Sequence, residues 1–299
     1  MDFHSGAELL AVCRENRVSI AEAMQQREEF LSELPRGRIR GEMKKNLAVM
    51  REGVALGLRG DVRSLSGLSG GDAKRLYDYG GNAPLLGADA AQAAAAAMAV
   101  VEVNASMGRI VAAPTAGASG ILPGVLAGLA DRRGWGEDAL LDALFTAGAI
   151  GMLIANNATI AGADGGCQAE TGTGASMTAA ALVELMGGTP QMALDAAAIA
   201  LKNVMGLVCD PVAGLVECPC IKRNAIGAVN ALLCADLALA GVTSHIPFDE
   251  TVEAMRAVGA VMRPELRETA LGGLAATPTG RAIAERVRET NRIQSESQA

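Results

Sequence analysis

Apolar positions recur along most of this chain at the three- and four-residue spacing of helices, and few runs alternate as strands do. Charge is concentrated in residues 1 to about 60, which read as two or three peripheral amphipathic helices, one opened by a Ser19/Glu22 capping box. An Ala-rich helix is expected over Asp89 to Ser106, and another from about Ile121. Ala143 to Ala163 carries no charge and matches a membrane span in length. Gly148, Gly151, Asn156, Asn157 and Thr159 interrupt it, so it reads as a buried core helix. Two helices follow, the second opened by Thr189 and Pro190 and ending near Leu207. Further helices are expected over about 224–240 and, capped by Asp249, to about Val261; residues 280–299 read as a polar tail. The pattern predicts an all-α fold: one compact helical domain over 1–299, with Gly- and Pro-rich loops between helices.

Composition sharpens this picture. Of 299 residues, 50% are apolar and only 2% aromatic, so the core must be built from Ala, Leu, Val, Ile and Met. A formal net charge of −7 argues against nucleic acid as a partner, because phosphate binding needs a basic face. The start Met1-Asp2-Phe3-His4-Ser5 has no basic residues leading into an apolar stretch, and the expected location is cytoplasmic. There the six cysteines should stay reduced. Cys13 and Cys234 lie in apolar helical runs and read as small buried hydrophobes.

Cys167, Cys209, Cys218 and Cys220 instead fall in Gly- or Pro-rich loops at helix ends, where short side chains can converge. The helical hairpin between Cys167 and Cys209 would return the chain to its starting level. A four-thiolate zinc site more often shows paired Cys-x-x-Cys spacing, and a catalytic thiol needs a nearby histidine. Only His4 and His245 exist, and neither is in a cysteine-bearing loop. An iron–sulfur cluster tolerates irregular spacing. On spacing alone, cluster, zinc and thiol all stay open. Two further loops lead into helix starts, Leu65 to Asp72 and Ala113 to Gly120, a geometry that suits anions as well as ordinary capped turns.

Four runs narrow the choice: Ala113-Pro114-Thr115-Ala116-Gly117-Ala118-Ser119-Gly120, Gly165-Gly166-Cys167-Gln168-Ala169-Glu170, Cys209-Asp210-Pro211-Val212-Ala213-Gly214-Leu215-Val216, and Pro219-Cys220-Ile221-Lys222-Arg223-Asn224. Together with Ser69-Gly70-Gly71-Asp72, His245-Ile246-Pro247-Phe248-Asp249-Glu250 and Arg267 to Leu274, they make nearly the whole chain resemble the iron–sulfur-dependent L-serine dehydratases, alpha subunit of the two-chain type. The resemblance implies a [4Fe–4S] cluster on Cys167, Cys209 and Cys220, and conversion of L-serine to pyruvate and ammonia. It implies no ligand role for Cys218, where the family usually has another residue. Single-chain relatives carry an extra N-terminal domain and a C-terminal cysteine tail, so a separate beta subunit is the expected partner.

Within that resemblance, Ser69, Thr115 and His245 are the candidate catalytic groups. Ser69, Gly70, Gly71, Thr115, Ala116, Gly117 and Asn224 are candidates for holding the substrate. Related lyases for L-cysteine or L-threonine, and a cluster-based redox sensor, are the alternatives. A pyridoxal-phosphate enzyme would need a Schiff-base lysine and a run of phosphate-binding glycines, which the chain lacks.

Overall fold

The computed structural model describes residues 2–297. Every element of regular structure among them is helical: α1 (Gly6–Asn16), α2 (Ile20–Ser32), α3 (Arg36–Gly57), α4 (Asp72–Tyr79), α5 (Gly87–Ala105), α6 (Ile121–Arg133), α7 (Glu137–Asn157), the single turn α8 (Gly162–Gly165), α9 (Cys167–Leu185), α10 (Pro190–Lys202), α11 (Cys220–Leu239), α12 (Phe248–Val261) and α13 (Pro278–Ser297). Short 3-10 turns lie at Val212–Gly214, Pro264–Leu266 and Gly273–Ala276.

Two helices organise the rest. α9 packs against α7, α10, α11 and α6, and α5 packs against α6, α11, α4 and α3. Both are buried nearly all round, as helices surrounded by others are. Alanine allows the close approach. On α6, a Cβ at Gly124 would stand 2.5 Å from the Ala97 backbone nitrogen of α5, so only glycine fits there. Most of the charge-free stretch lies in α7, which ends at Asn157; α7 is long and apolar enough to cross a membrane but is largely buried against α9 and α2.

Several expectations need correction. The N-terminal helices, expected to be peripheral and amphipathic, bury one face: Leu9, Ile20, Met24 and Leu47 enter the same apolar cluster as α7 and α9. Residues 280–297 are not a tail but most of helix α13, residues 298–299 lying outside the described residues. The helix opened by Thr189 ends at Lys202, and that expected from 224 begins at Cys220. Asp249 sits inside the first turn of α12, and its carboxylate accepts from the Gly6 and Ala7 amides of α1, at 2.6 and 3.0 Å.

That capping from a distance recurs. Glu184 of α9 accepts from the Ile20 and Ala21 amides opening α2, at 2.6 and 3.1 Å. Glu102 of α5, 1% exposed, accepts from Gly71, Asp72 and Ala73 at the start of α4, at 2.9, 2.9 and 3.1 Å. Each carboxylate meets the unpaired amides and positive end of a helix. Replacing Glu102 with Ala should strand three amides and lower stability by about 3 kcal/mol, with Gln recovering part of the loss. Urea unfolding of the three proteins measures this, and an unchanged midpoint for Ala would refute it.

Candidate metal centre

Three segments bring the cysteines together. Cys167 is the first residue of α9 and Cys220 the first residue of α11, so both thiols stand at helix N-termini, where the dipole favours a thiolate. Cys209 follows α10 and is clamped by backbone: its amide donates to Leu266 O at 2.8 Å, and Glu268 N donates to its carbonyl at 2.7 Å. All three are buried, whereas Cys218 is exposed.

Burial dominates their protonation. It pushes Cys220 up to about 12, reinforced by the Cys167 thiol and the Glu170 carboxyl and opposed by Arg223. Cys209 is pushed up further by burial, Glu170 and the other two thiols. Cys167 is raised by burial, against the Thr171 hydroxyl at 3.0 Å and the Arg223 guanidinium. Arg223 is itself held by Asp210 at 2.8 Å and the Val208 carbonyl at 2.8 Å.

Carboxylates complete the centre. Glu170 lies one turn after Cys167; its Oε1 accepts from the Thr115 hydroxyl at 2.7 Å, and its Oε2 lies 3.8 Å from Cys209 Sγ. Burial raises the Glu170 pKa, the Thr115 hydrogen bond lowers it, and Glu268 raises it again. One donor atom each from Glu170, Cys209 and Glu268 lie within 4.8 Å of one another, a group compatible with a metal ion.

Both candidate substrate loops are tied to these segments. Asn224, fully buried, donates to Gly117 O at 2.7 Å and Cys220 O at 2.9 Å and accepts from Gly120 N at 2.9 Å. It thereby fastens the Thr115-Ala116-Gly117 loop to the start of α11. Ser69 donates to Glu217, as does Ser66 at 2.6 Å, which joins the Ser69-Gly70-Gly71 loop to the segment carrying Cys220. The helix start at Gly71 is already filled by the Glu102 carboxylate, so the Gly71 amide has a partner within the chain.

His245 stands apart. It is exposed, in a cleft of about 400 Å³ beside α1 and α10, just before the N-terminus of α12. The far end of α12 reaches the Cys167 loop: a Cβ on Gly259 would stand 2.9 Å from Gly165 Cα. Fourteen residues of helix, about 20 Å, separate the two ends. His245 therefore does not reach the thiols within this chain. Conversely, Glu170, Arg223, Glu217 and Glu268 belong to the centre although none was a candidate from sequence. For Glu170, Glu217 and Arg223 the available signal was an ionisable residue inside or beside a cysteine-bearing run; Glu268 lies in no such run.

The family described as serine dehydratase alpha chain matches residues 15–275, and the chain belongs to that family. It is 48% identical to a probable L-serine dehydratase alpha chain from Bacillus subtilis, over 95% of each chain. It is 45% identical to an L-serine dehydratase alpha chain from Peptoniphilus asaccharolyticus, over 94% of this chain and 96% of that one. Against the L-serine dehydratase TdcG of Escherichia coli it is 39% identical over 92% of its own length but only 62% of the relative's.

Thiol reactivity should follow burial. Cys218 should be alkylated by iodoacetamide at pH 8 in the folded, metal-free chain, while Cys13 and Cys234, both buried and pushed up to about 12, hold only about one part in ten thousand as thiolate. Peptide mass spectrometry over a time course reads this; labelling of Cys234 as fast as Cys218 would contradict the assigned burial.

Proposed function

We propose that this chain is the cluster-bearing subunit of an L-serine dehydratase, which removes water from L-serine; the enamine left behind hydrolyses to pyruvate and ammonia. The observation that carries the proposal is the gathering of Cys167, Cys209 and Cys220, all buried, in a chain of the serine dehydratase alpha family. The printed names of its relatives supply the substrate.

The donor set fits a cluster. Three thiols at two helix N-termini and one clamped loop, with Arg223 beside Cys167, offer soft anionic ligands and a compensating charge. A bound [4Fe–4S] cluster on Cys167, Cys209 and Cys220 would supply a Lewis-acidic iron with an open position. The chain's own residues do the rest by position. Thr115 and Glu170 form a polar face beside Cys209. Asn224 fixes the small-residue loop 115–117 against α11, where its backbone can approach a substrate carboxylate closely. Ser69, held by Glu217, offers a second hydroxyl from the opposite loop.

Removal of the Cα proton needs an acceptor within hydrogen-bond reach. His245 lies a helix length away, and His4 is exposed near the N-terminus, hydrogen-bonded through its carbonyl to Asn157. The acceptor is therefore assigned to a partner beta subunit, in keeping with the alpha-chain names of the relatives.

Two measurements test this reading. Replacing Cys167, Cys209 or Cys220 with Ala should remove iron, sulfide and pyruvate formation together, by at least about a hundredfold in rate. Replacing Cys218, Cys13 or Cys234 should leave iron content within error of the parent. Retained iron and activity in Cys220→Ala would end the assignment. Second, the cluster-loaded chain alone should form pyruvate at under about a tenth of the rate seen with its partner. Undiminished turnover by the single chain would place the proton acceptor within it.

A further inference from the structure

Cys209 belongs to two donor sets at once. One is the trio of thiols. The other is the group in which Glu170, Cys209 and Glu268 each present an atom within 4.8 Å of the other two. The three sulfurs do not form such a group among the described residues. The distinction matters because ligand size sets spacing. Around one tetrahedral ion, with metal–oxygen bonds near 2.1 Å and metal–sulfur bonds near 2.3 Å, neighbouring donor atoms stand about 3.4–3.8 Å apart. Cys209 Sγ and Glu170 Oε2, at 3.8 Å, already have that separation.

The surroundings leave Glu170 Oε2 facing the Cys209 thiol, which donates to it across 3.8 Å. Thr115 occupies Glu170 Oε1, which leaves Oε2 turned to Cys209. Gly162 borders the same point: a Cβ there would lie 2.6 Å from Glu170 Oε2 and 2.9 Å from Cys209 Sγ. Glu268 is brought in by the backbone bridge to Cys209, not by a side-chain partner. Among the described residues no Lys or Arg pairs with Glu170 or Glu268; the nearby Arg223 is engaged by Asp210, and Arg263 by Glu265. Two carboxylates and a thiol thus converge with no cation of the protein between them.

We infer that Glu170, Cys209 and Glu268 form a binding site for a single divalent transition-metal ion, distinct from the three-thiol set and sharing only Cys209 with it. Sharing makes the two uses of Cys209 exclusive. The single ion is held in the cluster-free chain, and ferrous iron bound there stands beside the thiols at which a cluster would be built. The site goes beyond the proposed function and does not require it, because it is defined in the metal-free protein.

Cobalt(II) tests the site spectroscopically. Titrated anaerobically into the full-length, metal-free chain, it should bind at one equivalent and give a thiolate-to-cobalt charge-transfer band. Cys209→Ser should abolish the band. Glu170→Gln and Glu268→Gln should each weaken binding at least about tenfold. Cys167→Ser and Cys220→Ser should stay within about threefold of the parent, although both would lose a cluster. Glu268 is exposed, so its variant keeps the test valid if Glu170→Gln misfolds; circular dichroism of each variant checks the helices. Loss of the band in Cys167→Ser or Cys220→Ser would show a thiolate site instead and overturn the inference. So would unchanged affinity in Glu268→Gln, or no charge-transfer band in the parent chain. Failure of the parent chain to assemble a cluster would count against the proposed function while leaving this result intact.

Discussion

The meeting of a buried acidic group with the open end of a helix is the interaction on which this structure depends. A core built largely from Ala, Leu, Val and Ile offers a buried carboxylate or thiolate few partners beyond scattered hydroxyls and backbone amides. Helix N-termini are where unpaired amides gather. Glu102 at α4, Glu184 at α2 and Asp249 at α1 use this solution to lock helices together across the fold. Cys167 and Cys220 occupy the same kind of place on α9 and α11. The difference is that they stand on the helix they begin, and Cys167 finds its partners in side chains, Thr171 of its own helix and Arg223 of α11.

Small residues make this arrangement possible. Close helix packing at Gly124 and Ala97 brings α5 and α6 together, and α6 begins at the loop that Asn224 ties to α11. A bulkier core would move the 115–120 loop away from Cys220. Asn224 sits where packing meets chemistry: one side chain, fully buried, satisfies two carbonyls and an amide from two segments. Its hydrogen bonds are all within the chain, so it acts on any substrate through the loop it holds.

Much of this was legible in the sequence, and the limits have physical causes. Thr189 and Pro190 announce their helix because the cap is local, the Thr189 hydroxyl accepting from Met192 N three residues on. The Ala-rich α5 is equally local. Asp249 misleads for the opposite reason. It looks like the cap of its own helix, yet its partners lie 243 and 242 residues away. Glu102 and Glu184 resemble ordinary acidic residues in helices until the fold shows whose ends they meet. The start of α11 was hidden because Pro219 and Cys220 read as loop, though proline is well suited to a helix entry. The three cysteines were recognisable by their runs. Glu268 was not, because it joins the centre through a backbone bridge to Cys209, which no local pattern encodes.

The three thiols are therefore not equivalent in how they are held. Cys167 and Cys220 inherit their positions from two long helices buried against each other. Cys209 owes its position to two backbone hydrogen bonds with residues 266 and 268, on a segment partly open to solvent. Segments held by few, exposed hydrogen bonds open more readily than packed helices. Opening of this bridge would withdraw Cys209 and Glu268 while α9 and α11 kept their thiols in place. The centre thus has two fixed corners and one that can yield, and the yielding corner is the one at which the carboxylates converge.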